Sequence, residues 1–259
     1  MSLYEVHGRL ARVKDIEGDL LVVGDLHGDW NSFERAVDLF LEGDHLMVFL
    51  GDYADRGPHG LEIIEGLQEL LEDHGDRVIA LKGNHEDYRE GRPMFVPADL
   101  PGEVEAKRPE GWRDYFPLLK QRFLDRLSLA ALLPGHSLMV HGGICPDLTL
   151  EGLVEPGPRT EEAVLWSDPH EGRDAPNPRG VGTLFGPDTT HRVLDELGVR
   201  YLIRSHEPRK ACKGPVLEHG GKVITVSSTS ACGGMPFLLR CEPGSELSPG
   251  TMEEKVIFL

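Results

Sequence analysis

The stretch LLVVGDLHGDW, Leu20–Trp30, sets four apolar residues ahead of an aspartate, a histidine and a second aspartate spaced among glycines. A run of β-formers ending at Gly24 reads as a buried strand that stops where the chain turns. The polar cluster then falls at the strand's C-terminal end, where open α/β sheets gather ligands because loops converge over a rigid platform. One cluster decides little, but the pattern returns. HLMVFLGDYADRG carries an apolar strand over His45–Leu50 followed by Asp52, Asp55 and Arg56, and RVIALKGNHED a strand over Val78–Leu81 followed by Asn84 and His85.

Each of the first two strands is followed by a helical spacing. Phe33, Val37, Phe40 and Leu41 line one face of the first helix, and Leu61, Ile64, Leu67 and Leu71 one face of the second. Asn31 is placed to cap the first and Gly75 to end the second. This β-α-β-α-β opening predicts a largely parallel sheet with polar residues at successive strand ends. Beyond Glu86 the alternation breaks. Residues 88–109, rich in Pro and charge, read as a lid-like excursion. The amphipathic segment RDYFPLLKQRFLDRLSLAALL follows, with Pro117 expected at its start or at a kink. HSLMVHGGICPD gives a strand ending in His141. The stretch from Cys145 to about Pro187 is dense in Pro and Gly and reads as a long functional loop. The last third alternates short strands with turns and suggests a second, partly antiparallel sheet.

The 259 residues suit one α/β domain spanning 1–259. No apolar run approaches the roughly 20 residues of a membrane span, and the N-terminus lacks a signal-peptide core, so a cytoplasmic protein is expected. Four cysteines without a CxxC pair indicate neither a zinc ribbon nor a disulfide framework, and read as reduced packing residues. A formal charge of −17 argues against sequence-independent nucleic-acid binding. It leaves room for a phosphorylated substrate, because metals or a few arginines can dominate a pocket.

Asp25, His27, Asp52, Asn84, His141 and His206 offer carboxylate, imidazole and amide donors with no thiolate. That set suits Mn²⁺, Fe²⁺ or Zn²⁺. Six donors exceed what one catalytic ion takes, so two ions are expected, with Asp52 as the candidate bridge. Taken singly, an Asp after a strand is a turn former and a lone His a hydrogen-bonded core residue. The same placement at five strand ends tells against coincidence. His7, His74 and His219 lack this setting.

GDLHG, GDYADRG, GNHE and HGG, followed by LWSDP, RGVGTLFG and RSHEP, resemble in order the signature motifs of the phosphoprotein phosphatases, the serine/threonine phosphatase branch of the calcineurin-like metallophosphoesterases. The match runs from Gly24 to about Pro208. The resemblance implies an α/β fold, a β-sandwich of mixed sheets flanked by helices, with two divalent metals at its edge. Asp25 and His27 would bind the first, Asp52 would bridge, and Asn84, His141 and His206 would bind the second. Manganese is the expected ion, with iron or zinc also suited. His85 would be the general acid, oriented by Asp55, while Arg56 and Arg179, with Asn84 beside them, would hold the phosphoryl oxygens and Asp168 would support the site. The Asp55–Arg56 pair could otherwise be a structural salt bridge.

The implied reaction is hydrolysis of phosphoserine and phosphothreonine in proteins by a hydroxide shared between the metals. Arginines would stabilise charge on the equatorial oxygens. The expected partner is a phosphorylated protein or peptide, with no nucleic acid, membrane or obligatory regulatory subunit. The chain's compactness suggests a free-standing catalytic domain of prokaryotic type. A hydrolase of dinucleoside polyphosphates such as diadenosine tetraphosphate is the alternative, and a non-catalytic phosphoprotein-binding relative the second. The family's SAPNY-like loop departs here, reading SSTSACGG over Ser227–Gly234, without its aromatic residue.

Overall fold

Leu20–Val23 is buried along its whole length because it lies between two apolar layers in the computed structural model, which describes residues 2–259. Leu21 and Val23 face helices, whereas Leu20 and Val22 face a second sheet. A strand covered on both faces has no polar side to show, hence the unbroken run.

The sheet built around this strand has five members. In spatial order they are Val256–Phe258, Phe237–Cys241, Leu20–Val23, Leu46–Phe49 and Val78–Ala80. The last three run parallel, as the opening predicts, and the two C-terminal strands add antiparallel. The facing sheet has seven strands: Tyr4–His7, Leu10–Val13, Ala130–Leu133, Ser137–Val140, Tyr201–Arg204, Val223–Thr225 and Val216–Glu218. Here Tyr201–Arg204 pairs parallel with both Ser137–Val140 and Val223–Thr225. Val22, Val48 and Ile79 of one sheet meet Met139, Ile203 and Ile224 of the other in the core between them. Helices Trp30–Leu41, Gly60–His74, Leu100–Lys107 and Gly111–Arg122 cover the outer face of the smaller sheet, and Pro158–Trp166 and Pro187–Leu197 that of the larger. Four layers result: helices, sheet, sheet, helices. No helix among the described residues is long and apolar enough to cross a membrane.

Several local expectations change. The first helix is capped by Asp29, whose Oδ1 accepts from Ser32 N at 3.2 Å, and Asn31 already lies inside it. Gly75 does end the second helix. The helix Gly111–Arg122 runs across Pro117, which removes the bond to the Arg113 carbonyl, and AALL forms the strand Ala130–Leu133. The excursion 88–109 is built structure: a small hairpin, Tyr88–Arg89 with Arg92–Pro93, then the helix Leu100–Lys107. The stretch 145–187 holds helices Leu150–Val154 and Pro158–Trp166 and a three-stranded sheet. The C-terminal strands do not form a separate sheet but divide between the two large ones.

Candidate metal centre and active site

Parallel strands end on the same edge, and five of them bring their following loops to one place. Asp25 and His27 follow Leu20–Val23, Asp52 follows Leu46–Phe49, and Asn84 and His85 follow Val78–Ala80. His141 and His206 come from Ser137–Val140 and Tyr201–Arg204 in the facing sheet. The loops turn sharply. Seven non-glycine residues among those described have positive φ, and five of them are His27, Asp52, Asp55, Arg56 and His206. Such backbone costs about 1–3 kcal/mol per residue and persists only where surrounding contacts enforce it.

Backbone bonds stitch the loops together: His27 N donates to Asp52 O at 2.9 Å and Gly28 N to Tyr53 O at 2.9 Å. Glu86 does the same through its side chain. Its Oε2 accepts from Asp52 N and Gly83 N, both at 2.9 Å, and its Oε1 from Tyr53 N at 3.1 Å. Burial pushes this carboxyl up to about 7, against the pull of those N–H donors.

Six inward-facing donors form two neighbouring groups. In one, His27 Nδ1 donates to Ala54 O at 3.0 Å, so the Nε2 lone pair points inward. It lies 3.7 Å from Asp25 Oδ2 and 3.5 Å from Asp52 Oδ2. Both His27 Nε2 and Asp25 Oδ2 are buried without a hydrogen-bond partner. In the other, His141 Nδ1 donates to Leu50 O at 3.0 Å, again aiming Nε2 inward. That atom sits 2.9 Å from Asn84 Oδ1, 3.1 Å from His206 Nδ1 and 3.4 Å from Asp52 Oδ1, and His206 Nδ1 is 2.8 Å from Asn84 Oδ1. Asp52 touches both groups.

These residues fit divalent cations. Orphaned buried acceptors and crowded lone pairs are unfavourable unless a positive charge sits among them. Burial holds His27 down to about 3 and His141 to about 4, and His206 well below the usual imidazole range, so all three are neutral as ligation requires. Burial also pushes Asp52 well above the usual carboxylate range, with Asp25 and Glu86 adding like charge. A cation would reverse that penalty.

His85 stands at the rim of the first group, its Nε2 4.0 Å from Asp52 Oδ2. Its Nδ1 donates to Asp55 Oδ2 at 2.6 Å, and Asp55 Oδ1 accepts from Asp99 N at 2.6 Å and Leu100 N at 2.9 Å. The excursion after Glu86 is thus a wall of the site, and it also packs Phe95 against the His85 ring with centroids 4.5 Å apart. Arg56 Nη2 approaches His85 Nε2 at 3.5 Å, and its Nη1 donates to Cys232 Sγ at 3.3 Å. Its own carboxylate neighbour in sequence, Asp55, is committed to His85, which leaves the guanidinium facing the cleft. Arg179 Nη1 lies 3.2 Å from His206 Nε2, and its Nε lies 3.4 Å from Asp168 Oδ2. Asp168 in turn accepts from Asn177 Nδ2 and from Arg204 Nη2, both at 2.9 Å.

All eleven residues singled out in the sequence therefore lie in one neighbourhood. Sequence reasoning missed Glu86, although it lies within GNHE, and also Ser205, Arg204 and Phe95. Ser205 holds Asp25 from two sides: Asp25 N donates to Ser205 Oγ at 2.8 Å, and that hydroxyl donates to Asp25 Oδ1. Not all cysteines are packing residues. Cys145 and Cys241 are buried, while Cys212 and Cys232 are half-buried and Cys232 borders the cleft beside Arg56. In place of an aromatic, the Ser227–Gly234 loop offers Ser230, whose N and Oγ donate to Asp29 Oδ2 at 2.7 and 2.6 Å.

The chain resembles known proteins over this same region. The calcineurin-like phosphoesterase family model matches residues 19–210. A protein phosphatase 2A catalytic subunit of Dictyostelium discoideum is 32% identical over 213 residues, 76% of this chain and 64% of its own length. Human serine/threonine-protein phosphatase 5 is 31% identical over 224 residues, 81% of this chain and 42% of its own. The chain thus spans under two thirds of the length of these relatives. Among solved structures, a Saccharomyces cerevisiae protein serine/threonine phosphatase with similarity to human phosphatase PP5 superposes with a TM-score of 0.76 at 26% identity, covering 94% of this chain and 79% of that one. With five strand ends supplying its ordered motifs, the chain belongs to the calcineurin-like phosphoesterase family, and the relatives it resembles there are serine/threonine protein phosphatases.

Proposed function

We propose that this protein hydrolyses phosphoserine and phosphothreonine monoesters in proteins with the help of two divalent cations. The observation that carries the proposal is the pair of adjoining donor groups sharing Asp52, next to an imidazole held by a carboxylate and flanked by two guanidinium groups. Asp25, His27 and Asp52 would hold one ion, and Asp52, Asn84, His141 and His206 the other. Mn²⁺ suits the donors, as do Fe²⁺ and Zn²⁺. When bound, the ions would supply an activated water for in-line attack and would polarise the phosphoryl group.

The chain's own side chains do the rest. Arg56 and Arg179 face the same cleft and hold the phosphoryl oxygens, where transition-state charge resides. Their fork geometry orients the ester as well as neutralising it. His85 delivers a proton from Nε2 to the departing serine or threonine oxygen, and Asp55 keeps Nδ1–H engaged so that this nitrogen faces the site. Asp168 and Arg204 hold Arg179 and His206 in place.

The test is kcat/KM for a phosphothreonine peptide against that for diadenosine tetraphosphate, with Mn²⁺ added to metal-stripped protein. A preference of tenfold or more for the peptide is expected. A preference for the dinucleotide would assign the site to anhydride cleavage, and no turnover of either would leave a binding role only.

A further inference from the structure

The cleft outside the metal centre is far larger than a phosphoryl group requires. It encloses about 690 Å³ and is bordered by Arg56, Arg179, His206, Glu207, Arg209 and Lys210. Sites of about 300–1,000 Å³ hold whole drug-sized ligands, so most of this space is available to whatever flanks the phosphorylated side chain.

Its charge is opposite to that of the molecule. The chain carries a formal charge of −17, yet this wall presents four cations and one carboxylate. The carboxylate is already neutralised, since Glu207 Oε2 accepts from Arg204 Nη1 at 2.6 Å and from Lys210 Nζ at 3.1 Å. Lys210 is committed to Glu207 and Glu218, Arg179 is tied to Asp168, and Arg56 and Arg179 are the groups assigned above to the phosphoryl oxygens. Arg209 differs from them. It is exposed, lines the cleft, and enters no ion pair among the described residues.

Arg209 follows His206 by three residues, which places the two within about 11 Å even for extended backbone. The turn is tighter than that, because Ala211 N donates to Glu207 O at 3.2 Å. A peptide side chain two or three residues from a bound phosphoserine spans a comparable distance.

We propose that Arg209 selects phosphopeptides bearing Glu or Asp within three residues of the phosphorylated position. This rests on the phosphatase reading above. A carboxylate there meets an otherwise unpaired guanidinium, whereas Lys or Arg there meets like charge.

The experiment compares kcat/KM on phosphothreonine peptides carrying Glu, Ala or Lys on either side of the phosphate, and on p-nitrophenyl phosphate, for wild type and Arg209→Glu. Wild type is expected to favour the Glu peptide over the Lys peptide by about tenfold, less at 0.5 M salt as screening grows. In Arg209→Glu the order should invert while p-nitrophenyl phosphate turnover stays within twofold. Peptide turnover without a charge preference in wild type, or a preference that survives Arg209→Glu, would overturn the assignment of Arg209. Turnover of p-nitrophenyl phosphate with none of any phosphopeptide would overturn the phosphatase reading and this inference with it.

Discussion

At the scale of single residues, His85 and Glu86 are neighbours in sequence with opposite tasks. His85 offers Nε2 to the cleft, while Glu86 turns away and spends both oxygens on the backbone N–H groups of Tyr53, Asp52 and Gly83. In the proposed reaction His85 matters in proportion to how poorly the leaving group departs. His85→Asn is expected to slow kcat on a phosphoserine peptide by about 10²–10⁴, and much less on an aryl phosphate whose phenolate leaves without a proton. Equal losses on both substrates would remove His85 from the acid role. Glu86→Gln keeps the shape but turns one acceptor into a donor facing N–H groups. Metal affinity is expected to fall about 10–100-fold, as for other residues that orient ligands, and an isothermal titration with Mn²⁺ reads it directly. Unchanged affinity would mean that Asp52 is positioned without Glu86.

At the scale of elements, the site depends on how closely the loops after neighbouring strands approach. Gly51 has φ +105°, and a Cβ there would lie 2.4 Å from Gly83 N, so the loops bearing Asp52 and Asn84 touch through bare backbone. Gly135 offers a control: its φ is +70° but a Cβ would meet nothing within 4 Å. Gly51→Ala is expected to lower Tm well beyond Gly135→Ala, because only the former must also separate two loops. At about 2–4 °C per kcal/mol for chains near this size, thermal denaturation resolves the difference. Equal shifts would show that the loops can part freely. The strand-end residues were legible in the sequence because an apolar run stopping at Gly-Asp or Gly-Asn is a local signal. The order of residues 88–109 was not, since it comes from contacts such as Asp99 N and Leu100 N on Asp55, more than forty positions away in sequence. The cap at Asp29 was missed for a smaller reason: Asn31 is an equally good capping type two positions on, and only geometry chooses between them.

At the scale of the whole molecule, two sheets with helices on both outer faces bury their central strands, and the buried carboxylates and imidazoles of the candidate site gather at the edge where those strands end. A few buried polar groups lie elsewhere. His219 Nε2–H donates to His170 O at 2.9 Å and its Nδ1 lies 2.7 Å from Thr190 Oγ1. Burial holds its pKa below the ordinary histidine value. The unfolded chain therefore takes up the proton first: this contribution to stability is full above about pH 6.5 and is lost as pH falls towards the folded value, by at most about 1.4 kcal/mol per pH unit. Thermal melts between pH 7.5 and 5.5 should show a shallower decline for His219→Gln than for wild type. Parallel curves would mean that the ring titrates alike in both states.

At the same edge Asp25 and Asp52 stand among neutral imidazoles, a donor set that fits divalent cations. Anomalous diffraction at the manganese edge from crystals grown with Mn²⁺ tests this most directly. Two peaks are expected, one bordered by Asp25, His27 and Asp52 and the other by Asp52, Asn84, His141 and His206. A map with no peak among these six side chains, or with manganese bound only elsewhere on the surface, would contradict the account.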